Sequence, residues 1–352
     1  MGNSLKMVPD IRSLSLEELN DFFVQHGEKQ FRAKQVYEWL WRKNALTFAM
    51  MTNLPESLRQ MLQEHFQLSH IQIKREQISK DTTRKYLLQL ADGNQIEMVL
   101  IPSKDRITVC SSSQVGCAMA CKFCATGALG FKRNLSVAEI YEQVYLANQL
   151  AQQHFNHTLS NIVIMGMGEP LLNYEHINRS LQIITGKEGM EMSPSRITLS
   201  TVGICEGIKK LAIDQPNIGL AVSLHCAWQN KREQIMPIAY GNTLEQLTDA
   251  LKYYYKQTGQ RITFEYLLLA GINDSLADAK KLAHYCLDFP VKINVIEYNQ
   301  NEKLTFKRSS AEDRDRFIAF LESKNLLVQL RYSKGQDIDA ACGQLANKYK
   351  NR

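Results

Sequence analysis

The chain has 352 residues, 44 % hydrophobic and 22 % charged, with 42 Lys and Arg against 36 Asp and Glu for a net charge of +6. This composition is that of a globular chain able to bury a sizeable core, with room for one large domain or one domain and a small accessory. No run of about 18 apolar residues appears, which argues against a membrane-spanning helix, and the eight scattered cysteines do not form a disulfide framework. The basic excess is compatible with a nucleic-acid partner without establishing one.

The N-terminal "MGNSLKMVPDIRSLSLEEL" lacks the continuous apolar stretch of a secretory signal, so a cytoplasmic protein is expected. Its Met-Gly-Asn-Ser start is discounted as a myristoylation site because Lys6 stands where Ser or Thr is needed. Residues 13–70 read as helical. Ser15 and Glu18 form a capping box ahead of Leu16, Leu19 and Phe23, and Gly27 supplies a stop. A second helix carries Phe31, Val36, Leu40 and Trp41, and a third begins near Pro55 and runs through Leu58, Met61 and Leu62. From about 71 to 101 the sequence alternates as strands, with "ADGNQ" as a turn. Residues 1–95 are therefore expected to form an accessory domain of helices and a hairpin, and 96–352 the catalytic domain.

In the second part, short β-branched runs alternate with amphipathic segments. The runs are "RITVCSS" near 106, "NIVIMGM" at 161, "RITLSTVG" at 196, "IGLAVSLH" at 218, "RITFEYLLLAG" at 261, "KINVIEYN" at 292 and "LVQLRYS" at 327. Ser136 with Glu139, Thr243 with Gln246, and Asn273-Asp274-Ser275 mark helix starts between them. This repetition predicts a parallel α/β sheet, open or closed into a barrel, with its chemistry at the C-terminal strand ends. The unusual residues do gather there. Cys117, Cys121 and Cys124 follow the first run, "GMGEP" (166–170) follows the second, and Ser200 sits near the end of the third. Ser223 and His225 close the fourth, and Asn299 ends "VIEYN".

"CAMACKFCATG" (117–127) has three cysteines and no adjacent fourth. One reading is structural zinc with a distant ligand such as His225 or Cys226. The other is a 4Fe–4S cluster with three thiolates and one open iron. Glycines in "GMGEP" allow close backbone approach to a ligand, and Glu169 can accept hydrogen bonds from an amine. Cys205, Cys226 and Cys286 read as buried thiols acting as small hydrophobes.

The CxxxCxxC spacing after the first strand of an α/β domain resembles the radical S-adenosylmethionine (SAM) superfamily. With Cys110 upstream, "GMGEPLLN", "STVG", "SLH" and "DIDAACGQL", the chain resembles the RlmN/Cfr-type radical-SAM RNA methyltransferases along nearly its whole length. The resemblance implies a radical-SAM partial (β/α) barrel with a small N-terminal helical domain and β-hairpin. It also implies one 4Fe–4S cluster on Cys117, Cys121 and Cys124, and two SAM molecules per turnover. SAM contacts then fall on Gly168, Glu169, Ser200, Ser223, Leu224, His225 and Asn299, with Gln300 where many relatives have proline.

Adenine C2 and C8 are not nucleophilic, and the resemblance implies how the family overcomes this. Cys342 takes a methyl group from one SAM. A 5′-deoxyadenosyl radical from the second abstracts hydrogen from that S-methyl group, and the carbon radical adds to the ring. Cys110 then resolves the protein–RNA adduct through a disulfide with Cys342, with Glu97 as proton acceptor. The implied substrates are 23S rRNA and tRNA (at the adenosine 3′ of the anticodon). Pro170 in "GMGEP" matches the C2-type spelling, with C8 methylation as the alternative. An electron donor such as flavodoxin or ferredoxin, a monomer and no membrane partner complete the expectation.

Lys29, Arg32, Lys34, Arg42 and Lys43, around Trp39 and Trp41, are candidates for RNA contact on the helical domain. The target base is expected to arrive unstacked. Two rivals from other classes stay open at this point. One is a non-catalytic, zinc-stabilised RNA-binding protein. The other is a glycyl-radical activase, against which "AACGQL" speaks.

Overall fold

The computed structural model describes residues 8–299 and 305–346. The discounted myristoylation site and Gln300 lie outside the described residues. Three helices, α1 (Leu16–Gln25), α2 (Phe31–Trp41) and α3 (Glu56–His65), precede the strands β1 (Gln72–Ile78), β2 (Arg84–Gln89), β3 (Gln95–Ser103) and β4 (Arg106–Ser111). A two-stranded ribbon follows, β5 (Gln114–Gly116) with β6 (Phe131–Asn134). Then α4 (Val137–Phe155), β7 (Asn161–Ile164), α5 (Tyr174–Thr185), β8 (Ile197–Thr201), α6 (Cys205–Asp214) and β9 (Gly219–Ser223) alternate. They are succeeded by α7 (Gln229–Ile235), α8 (Leu244–Thr258), β10 (Ile262–Leu268), α9 (Leu276–Tyr285), β11 (Val291–Glu297), α10 (Ala311–Glu322) and β12 (Leu327–Arg331).

The capping signals in the sequence form in three dimensions. At Ser15, Ser136, Thr243 and Ser275, the side chain accepts the N3 backbone N–H and the N3 side chain accepts the cap N–H. Each such cap stabilises its helix by about 1 kcal/mol.

One ten-stranded sheet runs β1-β2-β3-β4-β7-β8-β9-β10-β11-β12. The β1–β4 pairs are antiparallel, and every pair from β4–β7 onward is parallel. A doubly wound sheet reverses its strand order at a switch point. Here the order is sequential, as in a barrel. Among the described residues, β1 and β12 pair on one side only, so the barrel is partial. The hairpin strands β1–β3 hydrogen-bond into this same sheet, so its ladder runs unbroken across residue 95.

The helical unit packs on α4. Trp41 is fully buried and stands edge-on to Tyr141 at 5.2 Å. It is core, which corrects its expected role as a stacking ring for RNA. Arg12 bonds Glu142 at 2.8 Å, and Glu142 also takes His70 at 2.5 Å and the Ile71 N–H at 2.9 Å. Lys29, Lys34, Arg42 and Lys43 are exposed, and Lys43 sits 4.0 Å above the Trp39 ring.

Candidate active site

The three-cysteine loop is built between β5 and β6. Gly116 has φ +76°, and a Cβ there would lie 1.8 Å from the Gly130 carbonyl oxygen, so only glycine closes the ribbon. Cys117 N–H donates to Gly130 O at 2.9 Å, Cys124 N–H to Cys121 O at 3.1 Å, and Lys122 N–H to Ile235 O at 3.0 Å. Burial pushes the Cys117 thiol up to about 11 and raises Cys121 as well, with the neighbouring thiols adding to both shifts.

"GMGEP" leaves the end of β7 and packs against residues 111–114, the stretch that leads into the cysteine loop. A Cβ on Gly166 would meet Ser111 O and Ser112 Oγ at 2.7 Å, and one on Gly168 would meet Gln114 Cβ at 2.5 Å. The next residue, Glu169, is almost fully buried. Its carboxylate accepts the N–H of Leu171 at 3.0 Å and of Val202 at 2.8 Å. Even so, desolvation lifts Glu169 to about 7. His225, at φ +54°, accepts the Leu267 N–H on Nδ1 at 3.1 Å and meets the Phe123 ring edge-on at 4.8 Å. Burial, reinforced by Arg232, lowers it to about 3, so the ring is neutral with its proton on Nε2.

All these groups face one cavity, with about 1310 Å³ of empty space counted out to its mouth. Cys117, Cys121, Cys124, Gly168 and Glu169 line it, as do Ser200, Ser223 and His225. Cys110 and Cys342 open into the same space. Three expected residues are not in its lining. Leu224 is turned into the core. Asn299 gives its amide to Ser333 Oγ (2.9 Å) and Cys342 O (3.3 Å) and accepts from Gln336. Glu97 is wholly buried. It pairs with Lys85 at 3.2 Å and accepts the Ala346 N–H at 2.8 Å.

Cys342 rides on a strap, residues 335–346. Gly335, Asp339 and Gly343 all have positive φ within it. The strap is tied by Gly335 N–H to Asp81 (3.0 Å), Ala125 N–H to Gly343 O (2.8 Å) and Thr126 Oγ to Leu345 O (2.6 Å). Two lining residues escaped the sequence reading. Glu265 on β10 holds Arg331 on β12 at 3.4 Å, and Asn294 donates to the other Glu265 oxygen at 2.8 Å. Arg331 lines the same cavity as Cys342 and Cys110, and the field of Cys342, with Glu265 and Cys110 adding to it, pushes its pKa up. Their only sequence signal was a charged residue inside an otherwise apolar barrel strand.

The donor chemistry suits a cluster. Among the described residues, no three His, Cys, Asp or Glu side chains converge as a ready site for a single ion. The three thiols line one cavity and lie close enough to raise one another's pKa, which suits a cluster held by one thiolate per iron. Cys226, a suggested fourth zinc ligand, is fully buried and its sulfur accepts the Trp228 N–H at 3.5 Å.

A sequential partial barrel with such a loop at its strand ends defines a radical-SAM enzyme, and residues 111–283 match the Radical SAM superfamily. Residues 10–68 match the ribosomal RNA large subunit methyltransferase N-terminal domain. The chain is 48 % identical to the probable dual-specificity RNA methyltransferase RlmN of Cytophaga hutchinsonii, over 96 % of this chain and 93 % of that one. It is 43 % identical to the dual-specificity RNA methyltransferase RlmN of Geobacter sulfurreducens, over 96 % and 92 %. The crystal structure of a radical SAM methyltransferase from Sphaerobacter thermophilus superposes with a TM-score of 0.89 at 40 % identity, covering 96 % of this chain and 99 % of that one. The chain belongs to the RlmN family of radical-SAM RNA methyltransferases. Its cofactors are those of that superfamily, a 4Fe–4S cluster and SAM.

Proposed function

We propose that this enzyme methylates C2 of adenosine in 23S rRNA and in tRNA, with Cys342 as the methyl carrier. The observation that carries the reading is the opening of Cys110 and Cys342 into the cavity that the cysteine loop lines. When bound, the cluster and SAM supply the transferable methyl group and the one-electron chemistry that activates it. Cys117, Cys121 and Cys124 hold the cluster. The Gly166–Gly168 cradle, Glu169, Ser200, Ser223 and His225 hold SAM, with Leu224 contributing backbone and Asn299 reaching SAM once its bonds to the strap open.

Arg331, fixed by Glu265, lines the same cavity as Cys342 and presents a positive charge there. Cys110 is held protonated and unreactive at rest, because burial pushes its thiol up to about 12. Glu97 accepts the ring proton and, in the strapped state, tethers Ala346. Residues 1–95 act as the RNA-docking unit, with exposed Lys29, Lys34, Arg42 and Lys43 against phosphates. The reductant is a one-electron donor of the flavodoxin or ferredoxin class, and the enzyme acts as a cytoplasmic monomer.

The test is mass spectrometry of nucleosides from 23S rRNA and tRNA in a strain lacking this protein, restored with wild type or Cys342→Ala. Loss of 2-methyladenosine, recovered only with wild type, is expected. Loss of 8-methyladenosine would move the reading to C8, and no change in either base would remove it.

A further inference from the structure

Two arginines are fully buried among the described residues, Arg12 and Arg232. Arg12 is paired with Asp10 and Glu142. No ion pair among the described residues reaches Arg232. Its guanidinium meets three backbone carbonyls instead: Val202 O at 2.7 Å, Leu224 O at 3.3 Å and Asn242 O at 3.3 Å. Carbonyls satisfy its hydrogens but do not neutralise its charge. A buried charge without an anion is strongly unfavourable, so a negative group must complete the site.

The position indicates which group that is. Arg232 lies on α7, in the span between the C-terminal ends of β8 and β9. The last residue of the same helix, Ile235, accepts the Lys122 N–H from inside the cysteine loop. Cys121 and Ile235 share one apolar cluster behind that loop. Val202, whose carbonyl takes the shortest of the three bonds, lines the cavity together with Cys121, and its N–H donates to Glu169 there.

We propose that Arg232 is the built-in counter-charge of the iron–sulfur cluster, a positioning residue that raises the cluster's reduction potential. The inference rests on the cluster reading above. Reduction adds one electron from the flavodoxin- or ferredoxin-class donor, with no bond made or broken. The added negative charge falls beside a fixed positive one, and net charge and solvent exposure are what set such potentials. A purely structural arginine, there only to cap three carbonyls, would affect folding and leave the potential alone.

The experiment is an EPR-monitored redox titration of the reconstituted full-length holoenzyme, with iron and sulfide counted in every sample. Arg232→Gln is expected to shift the reduction equilibrium at least about tenfold toward the oxidised cluster, or about 59 mV lower for a one-electron couple. Arg232→Lys should stay within about threefold of wild type. If Arg232→Gln does not fold, Asn242→Asp decides. Its side-chain oxygen already accepts the Cys205 N–H at 3.3 Å, so an isosteric carboxylate fits and opposes the guanidinium while leaving its three carbonyl bonds intact. A loaded Arg232→Gln or Asn242→Asp protein with wild-type potential would overturn the proposal. So would Arg232→Lys falling as far as Arg232→Gln. Wild-type protein that takes up no iron and sulfide would remove the cluster reading, and this inference with it.

Discussion

The barrel wall and the C-terminal strap hold their cysteines in opposite ways. Cys110 sits in the middle of the sheet, paired with Val99 on one side and Val163 on the other, and is almost fully buried. Cys342 is exposed on a strap of irregular backbone, held by scattered hydrogen bonds to β3, the cysteine loop and the β1–β2 hairpin rather than by a strand ladder. In the proposed reaction Cys110 waits for its partner and can be rigid, whereas Cys342 carries a group and needs the accessible position.

The largest test breaks the wall. Gly116→Ala drives a Cβ into Gly130 O at a positive φ, so iron uptake should be lost and stability should fall by more than about 3 kcal/mol. Iron analysis and urea unfolding would detect it, and wild-type iron content would show the ribbon to be plastic.

Next is pH. His225 is depressed to about 3 in the folded state, so the unfolded chain binds its proton first as pH falls. Its contribution is fully present above about 6.5 and is lost as pH falls toward 3. Between pH 7 and pH 5, cofactor-free wild type should lose about 2 kcal/mol more than His225→Gln does. Parallel urea titrations that show no difference would contradict a buried neutral ring.

A third test concerns Arg331. Arg331→Gln leaves the buried Glu265 carboxylate without its cation, and urea unfolding should show a loss of about 1.5 kcal/mol. Equal stability of the two proteins would show that the pair does not support the barrel. The smallest effect belongs to the strap. Asp81→Ala releases the Gly335 N–H, and amide exchange across 335–346 should quicken about fivefold, about 1 kcal/mol, with barrel exchange unchanged.

What was legible in the sequence was what repeats or caps. Ser136–Glu139 and Thr243–Gln246 marked their helices, and each β-branched run became a strand. Partial-barrel order was not legible from spacing, because a doubly wound sheet reads the same until pairing is seen; the family resemblance supplied it. The strands β5 and β6 have three and four residues, too few to show alternation. The Glu265–Arg331 pair joins positions 66 residues apart across an intervening strand, and no local window contains both. Trp41 was misjudged because a tryptophan beside lysines looks the same in sequence whether it faces RNA or Tyr141. Glu97 is similar. Its burial depends on Lys85 and on Ala346, 249 residues away.

The strap also has a place in the order of folding. Residues 335–346 come after every element they bind, and their partners Asp81, Glu97 and Thr126 stand 254, 249 and 219 residues earlier. Among the described residues their docking is the last long-range closure to become possible, because a chain emerges from synthesis N-terminal end first. Until that step the cysteine loop lacks the cover of Gly343 and Leu345. The loop thus stays open to solvent until the segment that carries Cys342 docks over it.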